Sequence, residues 1–217
     1  MKQLITSAIC ILMVLGVSAQ DAKYMKAMQE KVAAVDTTYD VEKLKDLSAS
    51  FERIALAEKT QWLPYYYAAL THVNMGLMQS TQGAMPADKI DPIADKAEEL
   101  LNKAIELNKD HSDIYIVKKM IANLRMMPGE MTRYMQYGPE GAAALEMARK
   151  LNPENPRVPL LEGQDKFFTP EQFGGSKTEA KKLFEDALKK FEAYKPESAI
   201  DPNWGKTTAL YFLNQIK

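Results

Sequence analysis

Apolar residues return every three or four positions along most of the chain, the spacing that places them on one face of an α-helix. Met25, Met28, Val32 and Val35 form one such stripe. Val41, Leu44, Leu47, Phe51 and Ile54 form a second, with Asp40 placed to cap its start. The alternating pattern of a half-buried strand is nearly absent, so the chain reads as all-α. Glycine and proline concentrate at 83–92, 128–141, 153–159, 170–175 and 196–205, and these stretches are expected to be the connections.

Two helix ends nearly repeat each other, Ala104-Ile-Glu-Leu-Asn-Lys109 and Ala148-Arg-Lys-Leu-Asn-Pro153. Each has an apolar position three residues upstream, Leu101 and Leu145, and a small one four before that, Ala97 and Gly141. Leu47, Phe51 and Ile54 fit the same frame, as do Ala180, Phe184 and Ala187. The distance to the next helix also recurs: Ile54 to Tyr65, Ala104 to Tyr115 and Ala148 to Pro159 are each separated by 11 positions, with Ala69 and Gly163 four beyond two of them. This pattern resembles the tetratricopeptide repeat (TPR) over residues 40–217. It departs from that family at Pro159, where an aromatic is expected, at Lys119, where a small residue is expected, and at the separation of 17 between Ala187 and Trp204.

The resemblance implies an all-α, TPR-like right-handed superhelix of antiparallel helix pairs that binds a protein or peptide without catalysing a reaction. Within pairs the spacings exceed the family's: 32 from Tyr65 to Ala97, 26 from Tyr115 to Gly141 and 21 from Pro159 to Ala180. The excess is expected to form long intra-repeat loops that share one edge of the stack. Carried over from the family, the concave face would present Tyr66, Leu70 and Asn74, then Ile116, Met120 and Asn123, then Arg157 and Gln164. Such a groove is mostly apolar with one arginine, suited to an apolar or helical segment. Filling by the protein's own N-terminal helix or an inserted loop is the alternative. Met131, Tyr134 and Tyr137 would stand on the elaborated edge as a second partner surface, adaptable and rich in contact area.

Composition narrows the setting. The chain opens with Lys2, an apolar run from Leu4 to Val17, and Val17-Ser18-Ala19, which reads as a secretory signal peptide over 1–19. Residues 20–217 then form one helical repeat domain without a membrane span, secreted across the inner membrane into the periplasm or beyond. The single cysteine, Cys10, lies in the leader, so disulfides and thiol chemistry are excluded from the mature protein. With 28 Lys and Arg against 29 Asp and Glu, no strong field favours nucleic acid or anionic membrane.

The remaining motifs are weak as chemistry. Met126, Met127, Met131 and Met135 have the spacing of methionine-rich copper motifs, and thioethers suit Cu(I). Methionine is nevertheless frequent throughout the chain, and gap filling accounts for it more simply. A methionine-rich copper-binding periplasmic protein is therefore the alternative function, and no metal site or cofactor is assigned. His72 is expected mid-helix and partly buried, and Asp110-His111-Ser112-Asp113 reads as a helix start. Phe173-Gly174-Gly175-Ser176 lacks the strand and lysine of a phosphate loop, and Ser176 reads instead as an N-cap with Glu179 in the first turn. No catalytic constellation assembles, so no enzyme is expected.

Overall fold

A computed structural model describes residues 21–83 and 85–216. The expected leader lies outside the described residues. All regular structure among them is helical: α1 at 21–35, α2 Val41–Ala57, α3 Trp62–Ser80, α4 Ala87–Leu107, α5 Ser112–Met126, α6 Met131–Leu151, α7 Arg157–Phe168, a 3-10 turn Glu171–Phe173, α8 Lys177–Ala193 and α9 Lys206–Gln215. No helix among the described residues is long and apolar enough to cross a membrane.

The helix starts follow local chemistry. The Asp40 carboxylate accepts from the Lys43 amide at 2.9 Å, the His111 Nδ1 from the Asp113 amide at 3.3 Å, and the Ser176 hydroxyl from the Glu179 amide at 3.2 Å. The Gly174-Gly175 pair serves the turn before α8. Gly174 has φ +92°, and a Cβ on Gly175 would lie 1.7 Å from the Thr169 carbonyl oxygen.

Consecutive helices pack on one another, and α3, α5 and α7 also touch, forming an inner layer. The small residues of the repeated frame lie at these crossings: Ala69, Ala97, Ala104, Ala148, Ala180 and Ala187 are all fully buried. Gly163 is the tightest, since a Cβ there would stand 2.6 Å from the Phe184 ring.

The long intra-repeat loops are not found. The extra residues lengthen the helices instead, and only 127–130 separates α5 from α6. Pro92 and Pro139 lie inside α4 and α6, so the glycine- and proline-rich stretches 83–92 and 128–141 are only partly connections. A proline inside a helix removes one hydrogen bond and crowds the preceding turn. Long-range contacts hold the first half of α6 in place against that cost. Arg133 donates to the Asp91 carboxylate on α4 and to the Arg125 carbonyl on α5, and the Met126 sulfur lies against Gly138.

The inner layer is closed by the chain's own α8–α9 connection. Arg157, fully buried, pairs with Asp113 at 3.1 Å and donates to the Pro202 carbonyl at 2.7 Å. Its guanidinium lies over Trp204 at 4.9 Å, Tyr194 at 5.3 Å and Phe191 at 5.7 Å. Tyr67 donates to the Ile200 carbonyl and Trp204 Nε1 to the Tyr66 hydroxyl, both at 2.8 Å. Removing Arg157 strands Asp113 in the interior, so Arg157→Ala is expected to cost about 3–5 kcal/mol in urea unfolding. Amide exchange should rise across 194–205. A loss below about 1 kcal/mol would show that the arginine is not what closes this layer.

Candidate functional site

The expected concave-face residues do not line an open groove. Tyr66, Leu70, Ile116, Met120 and Arg157 are buried, and Asn74, Asn123 and Gln164 are half-buried. The α8–α9 connection occupies the space beside Tyr66, Tyr67 and Arg157, so self-filling is the outcome. It comes from the last inter-helix connection, the stretch behind the anomalous spacing from Ala187 to Trp204. Burial raises the Tyr66 and Tyr67 phenols far above their ordinary range, so both stay protonated as members of this hydrogen-bonded interior.

Met131, Tyr134 and Tyr137 stand on α6 and not in a loop. Met131 and Tyr134 are exposed, at 66% and 48%, while Tyr137 is half-buried. The Tyr137 ring lies under two guanidiniums, Arg125 at 5.5 Å and Arg133 at 5.4 Å. Arg125 is itself held by Asp95 and Glu98 at 2.8 and 2.7 Å. Tyr137 is thus part of a clamp joining α4, α5 and α6, whereas its two neighbours face solvent.

Neither histidine joins a metal centre. Burial holds the His72 pKa below the ordinary imidazole value, and its Nε2 lies 3.4 Å from Glu52. The His111 ring packs on Trp62, 4.4 Å between centroids. Among the described residues no group of three or more His, Asp or Glu is placed to hold a metal ion.

The open concavity is elsewhere. A cleft of about 780 Å³ lies between α6 and α8 with α7 at its base, within the size range of small-molecule sites. Ala142, Leu145 and Leu183 provide apolar lining. Arg149, Lys166 and Lys182 bring cations to it, with Glu146, Glu162, Asp165 and Glu179 among them. Arg149 pairs with Glu146 and Glu162, and Lys166 with Glu179 at 2.7 Å. The Lys166 ammonium holds the Glu179 carboxyl below its usual range, so this carboxylate stays charged at neutral pH. The lining therefore combines a small apolar patch with four carboxylates and three cations. None of the lining residues is a histidine, methionine, cysteine or tyrosine.

Sequence reasoning did not find this cleft. Its lining is drawn from three helices, and in one dimension those residues look like ordinary solvated faces.

No family model and no curated protein matches the chain. Among solved structures it is similar to the HusA haemophore from Porphyromonas gingivalis, at 31% identity over 89% of this chain and 92% of that one, with a TM-score of 0.77.

The two halves of the tyrosine and methionine surface should separate by stability. Tyr137→Ser is expected to cost about 1–2 kcal/mol through the lost cation–π contacts and packing. Met131→Ser with Tyr134→Ser should leave the melting temperature nearly unchanged. Calorimetry giving equal losses for both would contradict the placement of Tyr137.

Proposed function

We propose the function from kinship: the chain belongs to the family of the HusA haemophore, and we read it as a non-enzymatic carrier of haem or a related tetrapyrrole. The observation that carries the reading to this chain is the α6/α7/α8 cleft, which combines ligand-sized volume, apolar lining and cations. Burial of the porphyrin faces against Ala142, Leu145 and Leu183 would supply most of the affinity. The propionates would turn toward Lys182, Lys166 and Arg149, exchanging with side-chain carboxylates already there. Because the lining lacks haem-iron ligands, binding in this cleft rests on the macrocycle and its carboxylates. Copper carriage through Met126, Met127, Met131 and Met135 has nothing in the comparison to support it.

Contacts among α3, α5 and α7 along one layer, with α4, α6 and α8 packed on them in turn, support the TPR-like stacking. A second reading retains the scaffold role. Met131 at 66%, Tyr134 at 48% and Met135 at 73% exposure form an apolar face on α6 that a protein partner could cover. Secretion through a leader over 1–19 accords with either reading. The purified mature protein should begin at Gln20, as read by intact mass.

The carrier reading is tested by absorbance titration with haemin and with iron-free protoporphyrin. Both should bind with comparable affinity. Ala142→Trp, a substitution at an exposed position that fills the cleft, should weaken both by about tenfold or more with an unchanged melting temperature. Binding of haemin alone, or full affinity in the tryptophan variant, would place the site elsewhere.

A further inference from the structure

Lys119 is a buried cation that does not itself line the cleft but pairs with Asp165, which does. It belongs to α5, is 4% exposed, and takes a position where the repeat frame expects a small side chain. Room for it comes from the neighbouring helix. A Cβ on Gly141 of α6 would lie 3.1 Å from Lys119 Cδ and 3.4 Å from its Nζ. The lysine stem thus threads past α6 at Gly141, and its ammonium emerges at α7, 2.9 Å from the Asp165 carboxylate.

Burying an ammonium is expensive, and a buried ion pair seldom returns more stability than apolar packing of the same volume. The partner carboxylate is also not locked away. The Asp165 side chain is 43% exposed and forms part of the cleft lining. A fixed buried cation is therefore covered by a carboxylate that can rotate into solvent. The rim cations Arg149, Lys166 and Lys182 differ, because each is more exposed than Lys119, with Arg149 and Lys166 paired to neighbouring carboxylates.

Resting on the carrier reading, we infer that Lys119 is the anion anchor of the cleft. Asp165 covers it in the empty protein, and a ligand carboxylate takes its place when a tetrapyrrole binds. This assigns the ligand class as carboxylate-bearing macrocycles and gives Lys119 a specificity role toward them. The exchange swaps one carboxylate for another on the same ammonium, so the buried charge is never left unpaired.

Protoporphyrin and its dimethyl ester, which share the macrocycle and differ in the free carboxylates, separate this role from a structural one. The mature protein and two variants are titrated with each. Lys119→Met keeps the volume and removes the charge. It should weaken the diacid by about tenfold or more, the scale of a hydrogen bond to a charged group, and leave the ester unchanged. Asp165→Asn removes the competing carboxylate, and it should tighten the diacid several-fold with no effect on the ester. An unchanged diacid-to-ester ratio in Lys119→Met overturns the inference while leaving the carrier reading intact. If that variant does not fold, the Asp165→Asn arm decides alone, and an unchanged ratio there is equally fatal. Wild-type protein that binds neither compound removes the carrier reading and this inference together.

Discussion

A guanidinium with no exposure to water organises this protein. Arg157 is fully buried, and a buried charge persists only where partners replace its hydration. Asp113 supplies the counter-charge, and the Pro202 carbonyl a further acceptor. The rings of Trp204, Tyr194 and Phe191 supply polarizable faces. Asn155 donates to Asp113 at 3.1 Å and to the Ser112 hydroxyl at 2.9 Å, which keeps the carboxylate aimed at the arginine. These partners come from α5, the α6–α7 connection, the end of α8 and the α8–α9 connection. Satisfying one charge thereby brings the end of the chain onto the inner layer of helices.

The proposed carrier function rests on a different surface. The residues expected on a concave face are buried or half-buried, several of them against the chain's own α8–α9 connection. An open cleft lies between α6 and α8 over α7, while small residues pack the helix crossings closely. The protein thus separates a closed structural face from an open chemical one. The buried cation Lys119 beneath the open face is the reverse of Arg157: its partner is half-exposed and replaceable, whereas Asp113 is enclosed.

The family resemblance read from spacing was useful as geometry, while the residues it assigned to a binding face are buried or half-buried. It located the helices that form the inner layer and the positions that cross closely. It could not say that Tyr66, Ile116 and Arg157 face a segment of the same chain, because nothing near them in sequence reveals the partner. The cleft was illegible for a related reason. Ala142, Glu162, Asp165 and Lys182 are unremarkable on their own helices and gain meaning only from being opposed.

Periodicity and capping were settled by the sequence alone, because they depend on neighbours within about one turn. The stripes of α1 and α2, the caps at Asp40 and Ser176, and the buried alanines of the repeated frame all belong to that class. The tertiary structure decided three other things. It carried α6 through Gly138-Pro139, where local propensity favours a break, because Arg133 reaches Asp91 from 42 positions away. It filled the groove by bringing Trp204 to Tyr66 across 138 positions. It opened the ligand-sized cleft where three helices meet. Each outcome is set by contacts between residues far apart in the chain, and their energies exceed the few tenths to few kcal/mol by which local preferences differ.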